Sequence, residues 1–266
     1  MRLLRCNDSV FDSLGIFYGV VSSTQGGWTM LSSEGRHMGA AAYGNTNRCT
    51  NKVYAGLRNI FSLQPEGQVY LKRSLANWQC DLLDDPYTSE LTNILGAPLA
   101  AKDMWNPDLV LGVEETHGEE NAQERLDRAA ATQMVFEDAL FHVIDFFIRQ
   151  TGGDRLILTG GSALNAIGNM RLLEHFDEGY YDGLLGQRTR LHLWVPPVPN
   201  DAGVTLGPVH VRVSGGRWCR TAAGSRLLLR HAPDRSANLE RHRCASCIPP
   251  VSARMRCTDE WFRSNS

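Results

Sequence analysis

The sequence predicts an α/β domain with a mixed sheet, running to about Gly207, followed by a tail of different character. Three observations carry this. Leu156-Ile157-Leu158 and Leu191 to Val195 are short apolar runs of strand type, each followed by turn residues and a helix start. Glu119 to Thr151 holds an apolar stripe at helical spacing. From Val209 onward the composition changes abruptly.

The first helix is read around Leu14 to Val21, with Ser13 placed to cap it and Gln25-Gly26-Gly27 to break it. Ser32-Ser33-Glu34 starts a second helix, and the charge of Glu34 suits its positive end. Gly35, Gly39 and Gly44, with Ala40 to Ala42, make this segment small-sided. Small residues admit a ligand or another backbone, and the alanines are equally simple packing. Thr46 to Gly118 is the least patterned region. Gln68 to Leu71 reads as a strand, while Trp78, Trp105 and several prolines suggest an irregular small lobe inserted before the long helix.

In Glu119 to Thr151, Phe136, Leu140, Val143 and Phe147 form one stripe that Ile144 and Ile148 widen. Gly152-Gly153 ends it. His142 lies beside the stripe and reads as a packing histidine; the polar start, Glu119 to Arg128, reads as a solvated face.

At the first corner, Gly160-Gly161 allows a sharp turn and close approach of a ligand. Ser162 is placed to cap a helix from Ala163 to about Phe176, with Glu178 to Gly183 as a loop beyond it. Free N–H groups at such a start suit a phosphate or ribose oxygen. At the second corner, Pro196, Pro197 and Pro199 end the strand. Asn200-Asp201 then caps a further helix containing Gly203 and Gly207, which puts Asp201 where a carboxylate commonly faces a ligand. Two ordinary βα corners would carry the same pattern.

Hydrophobic content of 42% and charged content of 21% fit a soluble globular chain. The net charge of −2 is no overall bias toward nucleic acid, and no apolar run reaches signal-peptide or membrane-span length. A cytoplasmic location is the expectation, with neither nucleic acid nor membrane as partner. Seven cysteines, an odd number, argue against a closed disulfide framework. The tail, 209–266, carries 11 Arg, no Lys and 4 acidic residues, so it is strongly basic while residues 1–208 are acidic. Cys244 and Cys247 with His242 suggest zinc only if a second ligand pair stood at regular spacing, and Cys219, His231 and Cys257 do not supply one. An arginine arm for nucleic acid would bring lysines and interleaved aromatics, which the tail lacks. The reading kept is disordered chain or the product of a shifted reading frame.

Four stretches taken together resemble the O-carbamoyltransferases that decorate antibiotics and nodulation factors. They are DSLGIFYGVVSS at Asp12–Ser23, SSEGRHMGAAAYG at Ser32–Gly44, LTGGSALN at Leu158–Asn165 and PPVPNDAGVTLG at Pro196–Gly207. They stand in the family's order, cover about Asp12 to Gly207, and stop at Pro208. The resemblance implies part of an actin-like ATPase or sugar-kinase fold (ribonuclease H-like), its second lobe only. It implies ATP or carbamoyl-adenylate as cofactor, held by Gly160, Gly161 and Asn165, with Glu34 a neighbour. It implies a small-molecule hydroxyl acceptor and a divalent metal, iron or magnesium, for which Asp201 matches the aspartate ligand. The family's other metal ligands are a His-x-x-x-His pair, and no two of the eight histidines here are four apart. The lobe carrying that pair would lie before Met1. The domain that makes the adenylate would lie after Gly207, where the tail does not resemble it. The domains expected are therefore 1–208, the C-terminal part of the kinase-like domain, and 209–266, the tail. The function expected is a carbamoyltransferase fragment, inactive alone or active with a separate chain supplying the missing lobes. The alternatives are a non-catalytic nucleotide-binding remnant or interaction protein and, more weakly, a kinase of the same fold that lacks the phosphate hairpin.

Overall fold

A computed structural model describes residues 12–26, 32–82, 84–103, 122–200 and 254–256. In chain order its elements are α1 (Leu14–Gly26), α2 (Glu34–Ala41), α3 (Tyr54–Leu57), β1 (Phe61–Gln64), β2 (Gln68–Leu71), α4 (Ser89–Leu95), α5 (Ala122–Thr151), β3 (Arg155–Thr159), α6 (Ala166–His175), α7 (Glu178–Leu185), β4 (His192–Trp194) and β5 (Arg254–Arg256). Helices thus combine with small sheets, as an α/β reading requires. Among the described residues the expected mixed sheet is replaced by two separate ones. β1 and β2 form an antiparallel hairpin, Phe61 facing Leu71 and Gln64 facing Gln68. The other sheet is wholly parallel in the order β4-β3-β5, with Leu156 opposite Leu193 and Leu158 opposite Met255.

The 30-residue helix α5 is the spine, ~45 Å long at 1.5 Å per residue. Its stripe is buried: Phe136, Leu140, Val143, Ile144 and Ile148 all lie in the main core, with Phe147 packed against it. The Phe17 ring of α1 meets Phe61 edge-on, and Tyr18 meets Phe136 in the same way. Each such fully buried side chain contributes about 1.5–3 kcal/mol relative to exposure. The segment read as a separate lobe shares this core: Leu57, Ile60, Val69, Trp78, Tyr87, Leu91 and Leu95 all belong to it. Its irregular sequence conceals large side chains that reach α1 and α5 from short elements.

Local signals held in several places. Ser13 Oγ accepts from the N–H groups of Gly15 and Ile16 at the start of α1. Glu34 opens α2, although Ser33 makes no capping bond through its side chain. His142 is a packing histidine, half-buried with Nε2 3.3 Å from the Gln64 carbonyl oxygen.

Two readings fail. The helix after β3 does not begin at Ala163 under a Ser162 cap. Gly161–Leu164 is a 3-10 turn, and Asn165 caps α6 by accepting from the Gly168 N–H at 2.8 Å. Glu178 to Gly183 is helix, not loop. Two glycines in its sequence argue against a helix, but Asp177 Oδ1 accepts from the Tyr180 N–H at 2.9 Å, and Tyr181 is fully buried with its hydroxyl donating to the Gly153 carbonyl. Capping and burial of one large ring outweigh the local glycine cost.

Candidate functional site

The site forms where β3 turns into α6. Gly160 has φ +92°, ψ 172°, a conformation open to glycine and strained for any side chain. Its N–H donates to the Pro199 carbonyl at 2.6 Å, so the proline run after β4 is tied to this turn. The turn closes with Ala163 N–H on the Gly160 carbonyl at 3.1 Å and Asn165 N–H on the Ser162 carbonyl at 3.1 Å. The first N–H groups of such a turn have no partner within it; at this start Gly161 is exposed and Ser162 half-buried. A Cβ on Gly161 would meet nothing within 4 Å. From the other side comes the start of α1, where a Cβ on Gly15 would lie 3.4 Å from Ser162 Oγ. Two of the sequence motifs, far apart in the chain, are therefore in contact.

Beneath the turn lies a buried polar network. Gln133 on α5 is its hub. Its Oε1 accepts from the Tyr18 hydroxyl at 2.9 Å and from Asn165 Nδ2 at 3.0 Å. Its Nε2 donates to Asn165 Oδ1 at 3.2 Å and to Glu137 Oε1 at 2.9 Å. Burial pushes the Glu137 carboxyl up, opposed by the Gln133 bond and by the charges of Arg48 and Arg171. Burial likewise pushes the Tyr18 hydroxyl well up, helped by the charges of Glu137 and Glu34. Arg48 Nη2 lies 3.6 Å from Glu137 Oε2 and 2.7 Å from Asp138 Oδ1, which carries the network to the surface. Beside Tyr18, its ring edge-on at 5.8 Å, sits the buried His37, whose Nε2 has no hydrogen-bond partner.

Of the residues expected at the site, Gly160, Gly161 and Asn165 come together in this corner. Glu34 is half-buried at the start of α2, and its charge bears on Tyr18, not on the turn itself. Asn165 spends its side chain on the α6 cap and on Gln133, so its contribution is to shape the corner. Asp201 lies outside the described residues, as do its expected helix and the tail, apart from the three residues of β5. Among the described residues no group of three His, Cys, Asp or Glu side chains is arranged to hold a metal ion. Also among them, no helix is long and apolar enough to cross a membrane.

Reading the sequence missed Tyr18, Gln133 and Glu137. A signal was present: Gln133 and Glu137 stand four apart, on one helix face, inside a stretch rich in alanine and large apolar residues. Buried polar residues are informative in a way that exposed ones are not.

The chain matches the family model described as Carbamoyltransferase N-terminus over residues 3–209. It is 27% identical over 195 residues to the uncharacterized protein sll1178 of Synechocystis sp. (strain ATCC 27184 / PCC 6803 / Kazusa), an alignment covering 73% of this chain and 26% of that protein. The chain thus spans about a quarter of the length of this curated relative.

Proposed function

This chain belongs to the carbamoyltransferase family, and we propose that it forms the nucleotide-holding part of the acceptor domain of an O-carbamoyltransferase. In this reading the domain is the second lobe of an actin-like ATPase or sugar-kinase fold. The observation that carries it is the Gly160–Gly161 corner, a glycine-only conformation at Gly160 that opens a helical turn, with open space at an exposed Gly161. A helix-start corner of this kind suits the phosphate or ribose of ATP or carbamoyl-adenylate. In the reaction proposed, the oxygen of an acceptor hydroxyl bonds to the carbamoyl carbon of carbamoyl-adenylate. The carbamoyl–phosphate oxygen bond breaks, AMP leaves, and the hydroxyl proton is released. The chain's own part is to bind and orient the nucleotide. The acceptor is a small polyhydroxylated molecule, the setting is the cytoplasm, and neither nucleic acid nor membrane takes part.

The test of the binding step is a titration of labelled ATP against the chain and its Gly161→Val variant. Gly161 is exposed and a Cβ there meets nothing within 4 Å, so the fold should be kept. The valine occupies the space assigned to the nucleotide, and affinity should fall at least about tenfold, the loss of ~1.4 kcal/mol. Equal affinity would remove the site.

The 266-residue chain by itself should transfer no carbamoyl group. The divalent metal expected of the family, iron or magnesium, finds no ligand group among the described residues, and the sequence holds no His-x-x-x-His pair to join Asp201, which by itself would be a poor site. Losing electrostatic stabilisation of the reacting carbonyl costs about two or more decades in rate. A chain or segment that supplies the His-x-x-x-His ligands would restore it. The assay supplies carbamoyl phosphate, ATP, a metal salt and a panel of polyhydroxylated acceptors, and reads a mass gain of about 43 Da, a carbamoyl group replacing a hydroxyl hydrogen. Turnover by the lone chain would overturn the claim. ATP binding with no turnover even after the missing lobes are added would instead support the non-catalytic remnant.

A further inference from the structure

We propose that Gln133 and Glu137 on α5 are positioning residues for the nucleotide corner, acting through Asn165; this rests on the corner being the nucleotide site. The geometry is a closed assignment of donors and acceptors. Asn165 Oδ1 accepts the Gly168 N–H at 2.8 Å, and a backbone N–H can only donate, so the Asn165 amide has one orientation. Its Nδ2 then needs an acceptor, and Gln133 Oε1 provides it at 3.0 Å. That orientation of Gln133 points Nε2 at Glu137 Oε1, 2.9 Å away. An ionised carboxylate accepts only, so it holds the Gln133 amide in this sense from the far end. If the Gln133 amide turned over, its NH2 would face both the Asn165 NH2 and the Tyr18 hydroxyl.

The corner is thus fixed from two sides. The Gly168 N–H anchors the amide pair at the α6 start, and Glu137 anchors it within α5. All three side chains are buried, so water cannot replace a lost partner. The charged groups facing Glu137 are Arg48, Arg171 and Asp138. Asn165 is one residue beyond the Gly161–Leu164 turn and closes it through its own N–H. A change in the Asn165 rotamer therefore shifts the turn whose N–H groups meet the nucleotide.

The experiment uses the full chain. Labelled ATP is titrated against the unmodified protein and against Gln133→Leu, Glu137→Leu and Glu137→Gln. The Asn165 side-chain amide and the Gly168 N–H are followed by NMR. Both leucine variants should weaken ATP about tenfold, the effect of one unsatisfied buried amide. Both should shift the Asn165 side-chain signals and speed exchange of the Gly168 amide proton. Glu137→Gln keeps an oxygen that accepts from Gln133 Nε2, and should bind within about threefold of the unmodified protein. If a leucine variant does not fold, the unmodified protein still decides: ATP should move the Gln133 and Asn165 side-chain signals with the midpoint of the Gly161 amide. Leucine variants that bind like the unmodified protein, or a Glu137→Gln as weak as Glu137→Leu, would overturn the proposal, as would immobile Gln133 signals. If Gly161→Val abolishes binding while these changes have no effect, only the positioning role falls. If the unmodified protein binds no ATP, the nucleotide reading falls with it.

Discussion

Gly44→Ala should destabilise the fold by at least about 3 kcal/mol, the upper range for overpacking a core. A Cβ there would stand 2.1 Å from the Leu126 carbonyl oxygen, 2.5 Å from its carbonyl carbon and 2.9 Å from Ala130 Cβ. The first two are backbone atoms of α5, which cannot swing aside as the tip of a side chain can. The segment is also tethered where it would have to move. Asn45 N–H donates to Asp127 Oδ1 at 2.8 Å, and Asn51 Nδ2 donates to the carbonyls of Asn45 and Asp127 at 2.8 and 2.9 Å. Relief of the clash would break these bonds. Gly39 in the same motif provides the control. A Cβ there meets nothing within 4 Å, and it lies inside α2, where alanine is better than glycine by about 1 kcal/mol. Urea unfolding of the two variants should therefore move the midpoint in opposite directions. Two alanine variants of equal stability would show that the segment following α2 does not meet α5 as described.

The second large effect is acid lability. Burial pushes the imidazole of His37 down to about 4, and among the described residues its Nε2 has no hydrogen-bond partner. In the unfolded chain the group titrates at its ordinary value of ~6.5. Below that pH the unfolded state binds a proton that the folded state refuses. Stability is therefore complete above ~6.5 and is lost as pH falls toward about 4, by about 3 kcal/mol in all. His142 is also pushed down to about 4, by burial and Arg58 against the opposing pull of Asp145, and being half-buried it adds a smaller loss in the same window. Glu137 acts in the opposite sense. Its carboxyl is raised in the folded state, so its burial cost is relieved as the solution becomes acidic. Comparing the protein with His37→Phe isolates the first term, since phenylalanine keeps an edge to Tyr18 and cannot titrate. From about pH 7.5 to about pH 4.5 the variant should lose ~2–3 kcal/mol less than the unmodified protein. Parallel profiles would mean that His37 is not buried neutral.

Where the pattern was local, it was legible in the sequence. The strand at Leu156–Leu158 follows from three consecutive apolar residues before a glycine pair, and the long helix from a stripe that repeats every three or four positions. The α1 cap at Ser13 and the turn at Gly160 are chemical necessities of one or two residues. The resemblance of four motifs, confirmed by the family match, gave the family. None of this needs long-range information, because backbone sterics and side-chain periodicity act over a few residues. The misread parts share one cause. α7 contains two glycines and forms because Tyr181 finds a buried place and a carbonyl to bond. α6 begins at Ala166 because Asn165, held by Gln133, caps it there. The segment around Trp78 joins the main core because the surfaces of α1 and α5 await it.

The amino-acid sequence by itself determined the elements with strong period, the glycine corner and the family. The tertiary structure alone decided which motifs meet. It set Gly15 against Ser162, used Gly44 to admit the backbone of α5 where the sequence allowed either a ligand or another backbone, and assembled Tyr18, Gln133, Glu137 and Asn165 from α1, α5 and the start of α6 into one network. A hydrogen bond between residues 32 or 115 positions apart leaves no mark in either neighbourhood. Its worth depends on burial, and burial is a property of the packed chain.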